Sequence, residues 1–382
     1  SLGNCTTTWG ARSTQATITD DRDTPFSAGQ YIWTAWDYIG EPTPYHSKNS
    51  FFGQIDTAGF EKDTFYLFKS EWTSYKKEPF VHLLPYWDFN ENQIIDVKAY
   101  TNAPQVELFL NGQSLGKQDI DHIHGKSPFG QWQLPYKKGE LKAIGYDENG
   151  TEVATEIKKS FGDPKSIILQ PEKNPGSCPN QDGEELFFID VMTSDKDGTL
   201  VENARNYITI SVSEEAELVG MDNGDSTDYD EYVSIDGQIH SRKLFNNRLV
   251  AIVRTKIKNG KTPTFTVTAV SKELQSTALQ YKDGIWTTVQ PDSSILPEKD
   301  FIPTRKIEIT VQDENGTINL SKEKSQITVT AKVLPENASI KEIAWNPVLK
   351  ECVSSDYIKV TNLTKLSDGV EQAIIKAACD GE

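Results

Sequence analysis

Gly29-Gln30-Tyr31-Ile32-Trp33-Thr34-Ala35-Trp36-Asp37-Tyr38-Ile39, followed by Gly40-Glu41-Pro42-Thr43-Pro44-Tyr45, is the stretch that organises the reading of this sequence. β-Branched and aromatic residues dominate positions 30–39, and Gly29 and Gly40 bound them, so the run reads as one buried strand. The loop behind it carries Pro42 and Pro44 and cannot be helical. Residues 60–72 read as a helix, because Phe65, Phe68 and Trp72 recur at spacings of three and four. Residues 1–75 hold 4 of the 8 tryptophans and 6 of the 16 phenylalanines, yet one strand, one loop and one helix do not make a domain. This aromatic head needs a partner surface for its helix and for the free edges of its strand, and a second copy of the chain is one such partner.

Outward from the head, the pattern changes to short strands separated by turns. Residues 93–100, 105–110, 132–134 and 140–146 are strand-like, and Asn111-Gly112 has the form of a two-residue hairpin turn. A β-sandwich of immunoglobulin size is expected over 79–162. A second is expected over 163–290, from strands at 166–169, 186–193, 207–212, 249–255 and 264–271, with Asn223-Gly224 as a turn. Residues 291–302 form a proline-spaced linker, and 303–382 a third module with strands at 306–312, 326–334, 358–361 and 373–378. The fold class expected is mainly β, with tandem sandwiches behind the aromatic head.

Composition narrows the functional classes. The formal net charge of −17 repels phosphate backbones, and no basic patch offsets it, so nucleic acid is not an expected partner. No run of 18 apolar residues exists, so no membrane-spanning helix is expected. The first thirty residues lack a basic segment followed by an apolar one, so no signal peptide is read there. Cys5, Cys178, Cys352 and Cys379 are scattered without a C-x-x-C pair, so no zinc site and no cofactor is expected. Buried thiols, or a bridge between Cys352 and Cys379, both remain open. Asp222, Asp225, Asp228, Asp230 and Glu231 read as a solvated loop, with Ca²⁺ the alternative occupant, because the twelve-residue helix-flanked pattern is missing. His122 and His124, two apart, would share one face of a strand as a metal pair, but no third ligand is near in sequence.

The opening stretch, residues 29–45, resembles the eighth barrel strand of glycoside hydrolase family 2 in its β-galactosidase branch. Phe52-Gly53-Gln54-Ile55-Asp56-Thr57-Ala58-Gly59-Phe60-Glu61-Lys62-Asp63 resembles the segment that follows and opens the last barrel helix. Residues 79–162, with Leu84-Pro85-Tyr86-Trp87, and residues 163–281, with Val219-Gly220-Met221-Asp222-Asn223-Gly224-Asp225, resemble the immunoglobulin-like domains behind that barrel. Residues 303–382 resemble bacterial immunoglobulin-like modules more weakly. The resemblance makes the head, 1–75, the last strand and helix of a (β/α)₈ barrel. It implies a bacterial retaining glycosidase acting on β-galactosides, at the cell surface, in the periplasm or outside the cell, with the cytoplasm left open.

Retention needs two carboxylates. In the family both are glutamates, on the fourth and seventh barrel strands. Glu41, Glu61 and Glu71 do not match those positions, so no catalytic residue is carried over and the fragment alone is expected to be inactive. What carries over is one wall of the sugar pocket, at the C-terminal end of the strand. Trp33 matches the family's tryptophan there, its flat ring suited to the C–H face of galactose; barrel-core packing is the competing role. Trp36 is expected to point the other way, onto the barrel helices. Asp37 shares the parity of Trp33 if the strand stays regular, and either touches sugar or holds the loop. Glu41 and Tyr45, on that loop, either line the pocket or fix the loop; His46 is read as solvated. Two other classes stay open: a carbohydrate-binding module, if Trp132 and Trp286 are exposed, or a spacer holding the barrel off a surface.

Overall fold

The computed structural model describes residues 14–42, 45, 47–125, 127–172, 184–233, 236–258, 262–311, 326–346 and 358–378. All four cysteines and His46 lie outside the described residues. Two helices, α1 (Thr14–Asp23) and α2 (Asp63–Trp72), precede the strands. The helix expected at 60–72 thus starts three residues later, and α1, which has no apolar stripe to announce it, was not expected.

Strands β1 (Val81–Leu84), β2 (Ile94–Thr101), β3 (Gln105–Leu110), β4 (Gln113–Asp119), β5 (Gly130–Pro135), β6 (Glu140–Tyr146) and β7 (Glu152–Lys159) form two sheets, ordered β1-β2-β5 and β4-β3-β6-β7. The β3–β4 turn is Asn111-Gly112, both with positive φ (52° and 80°), the left-handed pair that a two-residue hairpin demands. Strands β8 (Ser166–Pro171), β9 (Glu184–Ser194), β10 (Tyr207–Val212), β11 (Glu217–Asp222), β12 (Ile239–Lys243), β13 (Leu249–Lys256), β14 (Phe265–Val270), β15 (Thr277–Lys282) and β16 (Ile285–Val289) form two more, ordered β11-β13-β9-β8 and β12-β10-β14-β15-β16. Among the described residues no sheet mixes strands from the two groups. Alternation along β9, β10, β13 and β14 turns Ile189, Val191, Ile208, Ile210, Ala251, Val253, Val267 and Ala269 into one buried core.

Strands β17 (Lys306–Val311), β18 (Gln326–Leu334), β19 (Ile358–Ser367) and β20 (Val370–Ala377) make a single sheet, ordered β17-β18-β20-β19, among the described residues. Chain contacts divide the molecule into two units: residues 1–87, 96–134 and 139–299, and residues 88–95, 135–138 and 300–382. In the second unit Lys306 Nζ lies 2.9 Å from Asp88 Oδ1, and Asn90 Oδ1 accepts from Ile309 N–H at 2.9 Å. Two short segments inside the 79–162 stretch therefore belong with the third module.

The head departs from expectation. Residues 29–39 make no regular strand; only isolated bridges join Trp36 to Ile55 and Ile39 to Asn49. A strand keeps its shape through ladders to neighbours, and among the described residues no full strand lies beside this one. Among the described residues Tyr31, Trp33, Trp36 and Ile39 are left exposed, while Tyr38 is half-buried against Phe52. The helices do find cover. Ile18 of α1 with Leu67 and Phe68 of α2 share a core with Leu84 of β1, Tyr100 of β2 and Phe129 just before β5. Tyr66 stacks on His82 with centroids 3.9 Å apart.

Candidate functional site

Residues 33–41 are held by bonds to residues 49–62 instead of a sheet. Asp37 N–H donates to Ile55 O at 2.8 Å, and Ala35 O accepts from Gln54 and Ile55 N–H, both at 2.9 Å. Tyr38 N–H donates to Ser50 Oγ at 2.9 Å. The two segments cross at Gly53, where a Cβ would overlap the backbone of Trp36 and Asp37. Only glycine permits that approach.

Asp37 anchors the crossing. Its side chain is 1% exposed, and Lys62 Nζ reaches Oδ1 and Oδ2 at 2.8 and 2.7 Å. Gly53 N–H donates to Oδ1 at 2.8 Å, and Lys62 Nζ also donates to Phe51 O at 2.9 Å. Burial pushes the Asp37 carboxyl above its usual range, while Lys62 and the Gly53 N–H pull against the rise. A buried charge persists only when paired in this way. Of the two roles open to Asp37, the geometry fits the loop-holding one: the carboxylate faces Lys62 and Gly53.

Above this anchor lies a polar-aromatic group. Trp33, 77% exposed, donates Nε1–H to Tyr38 OH at 3.2 Å, their rings edge-on at 6.5 Å. Tyr38 OH in turn donates to Glu41 Oε2. That carboxylate pushes the phenol's pKa up. The ring of Tyr38 meets Phe52 edge-on at 5.9 Å. The Trp33–Thr34 peptide is cis. The structure thus joins Trp33 to Glu41 through Tyr38. Tyr45 is 93% exposed on the loop. Trp36 is 55% exposed and so does not pack onto helices as expected, because the segment is not a regular strand with alternating sides. Tyr38, Gly53 and Lys62 were not singled out from sequence. Tyr38 stands in the quoted stretch, but no periodicity links Asp37 to Lys62.

The acidic loop behind β11 is organised by the protein itself. Asp225 Oδ1 accepts from the N–H and Oγ1–H of Thr227 at 2.9 and 2.7 Å. Asp228 accepts from Asn223 Nδ2 at 2.6 Å and faces Arg242 and Lys243, each at 3.3 Å. Burial alone would raise the Asp228 carboxyl, but the Asp230 N–H, Arg242, Asn223 and Lys243 hold it below its usual range. Arg242, fully buried, donates Nη1–H to Asp230 O and Glu231 O at 2.8 and 3.0 Å. The solvated-loop reading fails here: Asp225 and Asp228 are buried. His122 and His124 turn away from a shared metal, since His122 Nδ1 lies 2.8 Å from Glu71 of α2 and His124 Nδ1 3.4 Å from Asp23 of α1. Among the described residues no three His, Cys, Asp or Glu side chains gather as a metal would need.

Residues 170–280 match the family described as glycoside hydrolase family 2 C-terminal domain 5, and residues 92–154 match a domain family of unknown function, DUF4982. A beta-galactosidase of Bacteroides ovatus, BoGH2A, is 34% identical over 285 residues, covering 73% of this chain and 31% of that protein. A putative beta-glucuronidase of Formosa agariphila is 34% identical over 218 residues, covering 54% of this chain and 20% of that protein. The crystal structure of a beta-glycosidase from Bacteroides vulgatus superposes with a TM-score of 0.56 at 31% identity, covering 66% of this chain and 30% of that one. The chain therefore spans about a third of the length of these relatives, or less. Residues 170–280 are thus a glycoside hydrolase family 2 C-terminal domain, and over most of its length the chain is similar to longer glycosidases.

Proposed function

We propose that this chain supplies one wall of the sugar pocket of a longer retaining β-glycosidase whose substrates are β-galactosides. The observation that carries the reading is the exposed Trp33–Tyr38–Glu41 group standing on the buried Asp37–Lys62 pair. An exposed indole offers a flat face to the C–H side of a pyranose, and a carboxylate beside it accepts from ring hydroxyls. The reading assigns the two carboxylates of a retaining mechanism, about 5–5.5 Å apart, to the part of the longer protein that precedes the head.

Charge favours a galactoside over a glucuronide. Residues 29–42 carry Asp37 and Glu41 and no lysine or arginine, so a uronate carboxylate beside Glu41 would meet repulsion. The relative named a beta-galactosidase supports the same choice. The sandwiches behind the head act as support. Of the two aromatic residues that a binding module would expose, Trp286 packs edge-on against Phe187 and Phe265 at 5.7 and 5.4 Å, and Trp132 is half-buried with its ring beside Gly130.

The test compares chromogenic β-galactoside and β-glucuronide hydrolysis by the longer protein. The galactoside is expected to be preferred, Trp33→Ala to lower kcat/KM about tenfold or more, roughly 1.4 kcal/mol, and the chain alone to give no turnover. A preference for the glucuronide, or turnover by the chain alone that is abolished by mutating one of its own glutamates, would refute the reading.

A further inference from the structure

The second sandwich reaches the pocket wall through one loop. Behind β11, the turn at Asn223-Gly224 lies against residues 47–60 of the head. Gly224 has a φ of 71°, and a Cβ there would overlap the carboxylate of Asp56, so both backbone and space demand glycine. Beside it, Lys48 N–H donates to Ser226 O at 3.0 Å, and Lys48 Nζ lies 4.5 Å from the centre of the Tyr232 ring. Arg248, paired with Asp190 at 3.0 Å, covers the ring of Phe60 at 4.0 Å.

From Asp56 a continuous run of bonds leads to the wall. Asp56 Oδ1 accepts from Ala58 and Phe60 N–H at 2.9 and 3.0 Å, closing the turn that carries Lys62. Lys62 N–H donates to Gln54 O at 2.9 Å, and its ammonium holds Asp37. Ile55, next to Asp56, bonds to Ala35 and Asp37 and bridges Trp36. On the other side, the buried Arg242 and Asp228 bond to the loop and to each other.

We propose that Asp56 and Gly224 are positioning residues for the sugar-pocket wall: through their contact the second sandwich sets the course of residues 33–41. The contact stands on its own geometry; its consequence for catalysis rests on the pocket reading given above. Lys62, from the same turn, and Asp222, from the sandwich, are the charged groups that face Asp56. Burial pushes its carboxyl up to about 6, with Asp222 adding to the rise and the Phe60 and Ala58 N–H groups and Lys62 opposing it. A raised pKa means that the docked head binds the proton more tightly than an undocked one. The contact is strongest below the ordinary aspartate pKa, about 4, and weakens as pH rises through about 6.

The experiment follows Trp33 in the whole chain labelled with 5-fluorotryptophan, by fluorine NMR from pH 5 to 8, with Trp33→Phe assigning the signal. The Trp33 signal is expected to titrate with a midpoint near 6, to stop titrating in Asp56→Asn, and to shift at every pH in Gly224→Ala. A Trp33 signal that stays still across the range, or titrates unchanged in Asp56→Asn, overturns the proposal. Should Gly224→Ala fail to fold, the Asp56→Asn titration still decides. Failure of the pocket reading looks different: kcat/KM of the longer protein would ignore Trp33→Ala while the fluorine signal still followed Asp56, which supports the positioning contact.

Discussion

Lys62 Nζ lies 2.7 Å from Asp37 Oδ2, joining two residues 25 apart in the chain, with side chains only 17% and 1% exposed. Removing the cation would leave a buried carboxylate unpaired, which costs about 3 kcal/mol. Lys62→Met should therefore speed amide exchange at Asp37 and Ile55 about a hundredfold, the same free energy expressed as local opening. The double variant with Asp37→Asn should recover most of the protection. Unchanged exchange in Lys62→Met would show that the pair does not hold the crossing.

The second sandwich should be acid-labile through Asp228. Its carboxyl is held below the ordinary value, so its contribution is full above about pH 4 and is lost as pH falls through the lowered pKa. Asp228→Asn should flatten that acid limb and, at pH 7, cost about 3 kcal/mol by leaving the fully buried Arg242 without its counter-charge. Trp286 is the single tryptophan of residues 163–290, so its fluorine signal in the 5-fluorotryptophan-labelled chain, identified by its loss in Trp286→Phe, follows urea unfolding of this domain.

Leu67 has no exposed surface and joins Ile18, Phe68, Leu84, Tyr100 and Phe129 in the small core beneath the head helices. Leu67→Ala should cost about 2–5 kcal/mol. Hydrogen exchange should rise in α1 and α2 and leave β9, β13 and β14 unchanged. A uniform rise across all of them would mean that the head and second sandwich unfold as one unit.

Trp286→Ala tests core against platform. The ring packs with Phe187, Phe265 and Tyr281, so its loss should lower the stability of the second sandwich by about 3 kcal/mol. Calorimetry of the chain with galactose should show no difference between Trp286→Ala and the parent. Loss of a measurable heat of binding in this variant would restore the carbohydrate-binding module as a reading.

Much of the β-rich body was legible in the sequence because its signals are local. Asn111-Gly112 names its own turn, since adjacent left-handed residues tolerate few other pairs. Alternation along 326–334 buries Ile327, Val329, Ala331 and Val333 on one face, as the period of two requires. The strands that went unread, such as β7 and β16, have mostly exposed or half-buried residues and so leave little apolar pattern. Trp33 and Glu41 could be named from a resemblance carried by contiguous residues. Their connection through Tyr38 could not, because it depends on where the chain turns after Gly40.

What the tertiary structure alone decided is the set of contacts between distant segments. Residues 29–39 have the composition of a strand, but a strand exists only when neighbours complete its ladders, and the described chain offers isolated bridges instead. For Asp37 the sequence left sugar contact and loop-holding both open, and it is burial beside Lys62 that favours the anchor. The loop Asp222–Asp225 looked like a solvated or calcium-binding turn until Asp56 was found against Gly224. Composition and period are properties of a short window, so the sequence by itself determined the class of fold and most strands. The role of a charged side chain depends on the charge and solvent around it, and those are supplied by residues that no window contains.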